Sequence, residues 1–316
     1  MKGVNYLRWR IATANARRGR ASFSAQIRTG QVASLQHASP LEYPLDVCSF
    51  SSERDLEEQA LSILTFVNWA GVPASWTVYS DGSHKPDSII ALQSIGDWLK
   101  VVNWDVATAR LPKDCRFLLD YASGHAMGKR LIAYSTHSFT TPTLFTDSDV
   151  LFYKHAREAL SFACSDARHW FLPDGAWGSF DSRFLRFARH DMFAVNGGFI
   201  LLKPSFSWLP VMDFLQSLKG SYEYFSDQTA LHVGLVAQDA FPLDPRLFVL
   251  RWSDQFKISS DYCAEEMAIR HYVQLVRHKM WQGGWKRHLP LGYAPIDSVI
   301  KSKAKADACK SYDLPA

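Results

Sequence analysis

The order of signals along the chain predicts an α/β fold in which a mostly parallel sheet is covered by helices on both faces. Three observations carry this expectation. From Leu45 onward, short apolar runs rich in β-formers alternate with longer stretches of helical spacing, the order that successive β-α units produce. The first two runs end in the polar turns Ser51-Ser52-Glu53 and Ser80-Asp81-Gly82-Ser83, which suits strands that present ligand-binding loops at their C-terminal ends. The 316 residues, 47% of them hydrophobic and 14% aromatic, are enough for a globular core and argue against disorder.

Taken in order, Leu45 to Phe50 reads as a first strand. A helix follows from Glu53 to Ala70, its apolar positions Leu56, Ala60, Leu64 and Val67 at helical spacing and Ser52 as its N-cap. Gly71-Val72-Pro73 stops it, Trp76 to Tyr79 forms a second strand and Trp98 to Val102 a third. Gly124 to Tyr134 reads as a helix carrying Lys129 and Arg130, and Thr143-Leu144-Phe145-Thr146 runs straight into Asp147-Ser148-Asp149. A helix from Ala156, an irregular stretch through Pro173 and Gly178, a strand ending in the run Asn196 to Leu202, and helices over about Ser207 to Lys219 and Asp227 to Val236 complete the expected core.

Composition narrows the class. No apolar run reaches the ~18–20 residues that span a bilayer, and no secretory segment follows the N-terminal arginines. Cys48, Cys115, Cys164, Cys263 and Cys309 are scattered and never form CxxC, so free thiols and a cytoplasmic setting are expected. The net charge of +4 is unevenly placed, because Lys2, Arg8, Arg10, Arg17, Arg18, Arg20 and Arg28 all precede the first acidic residue, Glu42. Residues 1–40 therefore read as a basic arm, either a poorly ordered solvated tail or a peripheral contact for a membrane surface. A single domain over 41–290 and a tail over 291–316 complete the division. No nucleic-acid partner is expected.

The chemistry concentrates after the apolar strand that ends at Asp147. Carboxylates at i and i+2 on a strand end, Asp147 and Asp149, can converge on one hard cation, although aspartates merely bounding a turn have the same pattern. The apolar flanks of LFTDSDVLF bury them, and clustered buried carboxylates are costly without a cation or hydrogen bonds. Asn196-Gly197-Gly198 permits close backbone approach to a ligand, or is a simple bulge. Asp227-Gln228 opens a helix, where Asp227 is either a cap or a ligand contact. Late in the chain, Arg277, His278 and Lys279 are positive donors that could reach a diphosphate, with a solvated basic face the other reading for Arg277, and His271 shortly before them reads by itself as an ordinary half-buried histidine.

In that order, LFTDSDVLF, VNGGFILLKPS, YFSDQTAL and RHYVQLVRHKMW resemble the landmarks of GT-A glycosyltransferases over Leu45 to Trp285, closest to the retaining group that includes glycosyltransferase family 8. The late motif departs from the family, with His271-Tyr272-Val273-Gln274 where a glycine follows the histidine and Lys279-Met280-Trp281 for its Lys-Pro-Trp. The resemblance implies a Rossmann-like GT-A domain. It implies a metal-dependent, hexosyltransferase-like enzyme that moves a sugar from a nucleotide-diphosphate donor, UDP-sugar being the commonest, to a glycan, lipid or protein acceptor. By the resemblance, Asp147, Asp149 and His271 hold Mn²⁺ or Mg²⁺, with Mn²⁺ suiting oxygen ligands plus one imidazole. Asp227, Gln228 and Asn196 are catalytic. Ser49, Phe50, Ser51, Asp81, Lys129, Asp147, Gly197, Gly198 and Lys279 bind the donor, Lys279 ranking above Arg277 as the family's motif lysine. Two other readings compete: a nucleotide-sugar or carbohydrate-binding protein without transfer activity, and a D-x-D metal-dependent phosphotransferase. The phosphotransferase reading would need the D-x-D on the first strand, whereas here several α/β units precede Asp147.

Overall fold

The computed structural model describes residues 2–36, 41–175, 179–184, 193–257 and 266–290. The expected tail over 291–316, together with Gly178, Cys263 and Cys309, lies outside them. In chain order the elements are α1 (Lys2–Arg28), β1 (Glu42–Ser51), α2 (Leu56–Trp69), β2 (Val72–Ser80), α3 (Pro86–Gln93), β3 (Leu99–Asn103), α4 (Trp104–Thr108), α5 (Phe117–Gly124), α6 (Ala126–Ser135) and β4 (Thr143–Asp147). There follow β5 (Val150–Phe152), α7 (Ala156–Ser165), β6 (Trp170–Asp174), β7 (Ala194–Leu202), α8 (Leu209–Ser217), α9 (Ser226–Val236), β8 (Phe241–Pro242), β9 (Phe248–Leu250), β10 (Ile269–His271) and α10 (His278–Trp281).

Seven strands form the central sheet in the order β3-β2-β1-β4-β7-β6-β8. β3, β2, β1 and β4 are parallel, as the βαβ order requires, while β7 runs antiparallel to both β4 and β6. That single reversal places the N-terminal half of β7 beside the C-terminal end of β4, with Thr146 opposite Phe199. Side chains alternate across the sheet. Leu45, Val47, Leu144 and Leu201 face one core with Leu61 and Leu64 of α2, while Cys48, Phe145 and Ile200 face another with Leu131 and Tyr134 of α6 and Leu231 of α9. Helices therefore cover both faces.

A second sheet, β5-β10-β9, does the remaining positioning. β10 is antiparallel to β5 with His271 opposite Val150, so a residue 122 positions from Asp149 is brought beside it.

Several local expectations are corrected. The basic N-terminal stretch is not a loose arm: α1 buries Ala12, Ala16, Phe23 and Ile27, which recur at helical spacing between the arginines. Arg20 pairs with Glu57 and Glu58 of α2. At Gly19 a β-carbon would stand 2.3 Å from the carbonyl oxygen of Trp281, so only glycine lets α1 lie this close to α10. The stretch through Pro173 is a strand, β6, and Pro173 is tolerated because β8 pairs only with Trp170 and Phe171. α2 ends at Trp69, before Gly71 at φ +124° as expected, and Val72 and Pro73 already belong to β2. The helix expected over Gly124 to Tyr134 is α6, and His125, extended at φ −142°, separates it from α5, a helix that the sequence reading did not include. Ser52 Oγ donates to Asp55 Oδ2 at 2.8 Å instead of capping α2.

Candidate functional site

The C-terminal ends of β1, β2 and β4, the adjoining half of β7 and the end of β10 enclose a cleft of two joined cavities, of about 410 Å³ and about 360 Å³. Arg130, Asp147, Asp149, Gln274 and Arg277 line both. Asn196, Asp174, Asp227, Gln228 and His271 line the first; Phe50, Ser51 and Asp81 line the second.

Asp147, Asp149 and His271 each present a ligand atom, and the three atoms lie within 4.8 Å of one another. His271 Nε2 is 3.1 Å from Asp149 Oδ1 and 3.8 Å from Asp147 Oδ2. Its other nitrogen, Nδ1, lies 3.0 Å from Asn196 Oδ1 and donates to it. That bond leaves Nε2 aimed at the carboxylates, the arrangement that orients a metal-ligating histidine. Gly198 completes the notch: a β-carbon there would stand 2.3 Å from His271 Cε1 and 2.7 Å from Asp147 Oδ2. The donor set, two carboxylates and an oriented imidazole converging over a residue without a β-carbon, fits a divalent cation.

Two arginines organise the carboxylates. Arg277 donates to Asp149 Oδ2 from Nη2 at 2.6 Å and Nε at 3.1 Å, and to Asp55 Oδ1 from Nη1 at 2.8 Å. Arg130, buried on α6, donates to Asp147 Oδ1 at 2.8 Å and, through Nε and Nη2, to Asp227 Oδ2. Burial alone would raise the Asp149 carboxyl, but the neighbouring His271 and Arg277 outweigh it and hold the group well below the usual carboxylate range. At Asp227 burial prevails over the pull of Arg130, and its carboxyl is raised. Burial opposes charge on His271, yet Asp149 beside it raises the imidazole. Among the described lining residues of the first cavity, four aspartates, Asp147, Asp149, Asp174 and Asp227, face two arginines. A net negative cleft invites a cation.

No protein-family model matches the chain, and no curated protein sequence does. Solved structures do. Mouse xyloside xylosyltransferase 1 in its apo form superposes with a TM-score of 0.52, at 15% identity over 75% of this chain and 99% of that one. The bifunctional glycosyltransferase WbbM, also apo, reaches 0.50 at 13% identity, over 75% of this chain and 47% of that one. The fold is the GT-A glycosyltransferase fold.

Within the GT-A frame most of the residues singled out from sequence line the cleft; Ser49, Lys129, Gly197 and Lys279 do not, and Gly198 stands behind His271 and Asp147. Ser49 is buried and accepts the Trp76 indole N–H at 2.9 Å, so it serves the core. Lys129 donates to the Asp81 carbonyl at 3.0 Å and lies over the Trp104 ring; its neighbour Arg130, about 100° around the helix, is the one that enters the cleft. Lys279 is buried, donates to the Lys257 carbonyl at 2.7 Å and sits 3.9 Å from Asp254. Two residues earlier, on another side of the turn, Arg277 takes the cleft position. Gly197 lies in β7 with its N–H donating to Gln228 Oε1 at 3.3 Å, and Gln228 in turn donates to the Ser179 carbonyl at 2.8 Å. Asp227 falls inside the first turn of α9 and binds Arg130.

The GT-A cleft also contains residues that sequence reasoning passed over. Asp174 ends the apolar run WFLPD, the same strand-end carboxylate signal as Asp147, and accepts from Asn196 Nδ2 at 3.3 Å. Asp55, Met127, Tyr224 and Gln274 carry no comparable signal, because a turn, the start of α6 and loops far apart in sequence bring them to the walls.

Proposed function

We infer that this chain is a metal-dependent glycosyltransferase that moves a sugar from a nucleoside-diphosphate donor, UDP-sugar in the first instance, to an acceptor. The observation that carries the reading is the convergence of Asp147, Asp149 and His271 at the C-terminal end of β4 in a GT-A frame, within a cleft whose carboxylates outnumber its arginines. A diphosphate entering such a cleft is repelled unless a cation accompanies it. Mn²⁺ suits the ligand set of oxygens plus one imidazole, and when bound it would neutralise the charge that develops on the departing diphosphate.

The chain's own groups supply the rest. The second cavity, between the ends of β1 and β2, takes the nucleoside. Ser51, whose buried hydroxyl has no hydrogen-bond partner among the described residues, is available to its base or ribose, with Phe50 and Asp81 beside it. Arg277 and Arg130, fixed by their aspartates, hold positive charge against the diphosphate without having to be ordered on binding. The donor sugar occupies the first cavity, where Asp174, Asn196, Asp227 and Gln228 present acceptors and donors to its hydroxyls. Asp227, held by the Arg130 guanidinium, stands where a carboxylate would offer negative charge to the oxocarbenium-like transition state.

Calorimetric titration with UDP and GDP, each with Mn²⁺ and with excess chelator, tests this. Nucleotide binding is expected only with the metal. Equal affinity in chelator would overturn the metal assignment, and absence of any nucleotide binding would overturn the transferase reading.

A further inference from the structure

We propose that the N-terminal half of α1 docks the protein on an anionic lipid bilayer. This goes beyond the sugar-transfer reading and stands on other residues. The helix is fixed to the body by its later turns, through Ala12, Ala16, Phe23 and Ile27 and the Arg20 contacts with α2. Its first turns carry a different surface. Tyr6, Leu7 and Ile11 are 58%, 60% and 54% exposed, among the most exposed large apolar side chains described. At about 100° per residue, Leu7 and Ile11 share one side of the helix, roughly opposite the side that Ala12, Ala16, Phe23 and Ile27 bury. The packing that orders α1 therefore turns these aliphatic groups outward.

Charge identifies the occupant. Arg8, Arg10, Arg17 and Arg18 are exposed around the same helix, and no acidic residue occurs before Glu42. Exposed aliphatic groups between arginines on a helix end match a bilayer interface, where the apolar groups enter the acyl boundary and the guanidinium groups meet anionic headgroups. A nucleic acid would use the arginines but gain nothing from Leu7 and Ile11. A protein partner would meet exposed charge of one sign at the patch, which interface cores avoid. No helix among the described residues is long and apolar enough to cross a membrane, so the element lies on the surface. Arg17 and Arg20 line a hollow with Arg54, Asp55 and Arg277, and the latter three also line the donor end of the cleft. One helix thus joins the docking surface to the site.

The test is co-sedimentation of the full chain with phosphatidylcholine vesicles, with and without phosphatidylglycerol. Binding is expected only to the anionic vesicles, and it should weaken strongly between about 0.1 M and about 1 M NaCl, which shortens the Debye length about threefold. The double variants Leu7→Ser/Ile11→Ser and Arg8→Gln/Arg10→Gln should each lower partitioning by about tenfold. Thermal melting and size-exclusion behaviour should stay unchanged, because these side chains are exposed. No vesicle binding, equal binding to neutral vesicles, or binding that both double variants retain would overturn the proposal. So would retention on heparin lost only in the arginine variant with no vesicle binding, which indicates a general polyanion site. A loss of dimeric mass in the Leu7/Ile11 variant, without effect on vesicles, would assign the patch to a second copy of the chain and likewise overturn it.

Discussion

Gly198→Ala adds one methyl group at the centre of the proposed site. Gly198 does not have a left-handed backbone, so alanine costs nothing in φ, and the whole effect comes from contacts. The new carbon would lie 2.3 Å from His271 Cε1, 2.7 Å from Asp147 Oδ2 and 2.9 Å from Asn196 Oδ1, whereas ordinary contact begins near 3.4 Å. His271 would have to retreat by about 1.1 Å, and Asp147 and the Asn196 amide that orients it would have to give way as well. Metal–ligand distances tolerate only about 0.2 Å. Losing the orientation of one ligand typically costs about 10–100-fold in metal affinity. Overpacking of this kind destabilises by roughly 1–3 kcal/mol, so the protein should remain folded with a modestly lowered Tm. Calorimetry of Mn²⁺ and UDP binding is the assay, with Gly124→Ala as the control because nothing lies within 4 Å of its added carbon. A folded Gly198→Ala protein that binds Mn²⁺ like the wild type would refute the placement of the cation between His271 and Asp147.

Arg277→Ala should weaken nucleoside-diphosphate binding by about tenfold or more through loss of a charge-assisted contact, while Lys279→Met should leave that affinity alone and lower Tm; the reverse pattern would restore Lys279 to the cleft. Asp227→Asn should cut turnover by about 10²–10³ if its charge faces the donor sugar. It should also lower stability by about 1–3 kcal/mol, because buried Arg130 loses a charged partner; near-wild-type turnover would leave Asp227 only the task of holding Arg130. His288 is buried and pushed down to about 3, burial being the main cause and Arg287 adding to it. Its Nε2 donates to the Met280 carbonyl at 2.7 Å, so its Nδ1 accepts from Tyr153. The unfolded chain, in which histidine has its ordinary value near 6.5, therefore binds more protons than the native state between about pH 6.5 and 3. This group's contribution is complete above that window and declines by about 1.4 kcal/mol per pH unit as pH falls through it. Denaturant titrations at pH 7 and pH 5 should show a smaller loss in His288→Gln than in the wild type, and equal losses would remove His288 as the cause.

The sequence by itself determined what depends on neighbours along the chain. Apolar alternation and helical spacing located the central strands β1, β2, β3, β4 and β7 and the longer core helices α2, α6, α7, α8 and α9, because both report a face that must be buried. Strand-end carboxylates announced Asp147 and Asp149, and the same signal at Asp174 was legible but overlooked. What only the tertiary structure decided is which side chains of a helix or turn reach the cleft. Arg130 rather than Lys129, and Arg277 rather than Lys279, enter it, a choice set by rotation about an axis that residue type does not encode. The ordering of α1 was likewise invisible: its small buried residues lie among arginines, and their apolar surface counts only once Gly19 meets Trp281 and Arg20 meets Glu58. The pairing of His271 with Asp149 depends on β10 lying against β5. Contacts that span more than a hundred residues are fixed by packing and strand register, and no local pattern along the chain records them.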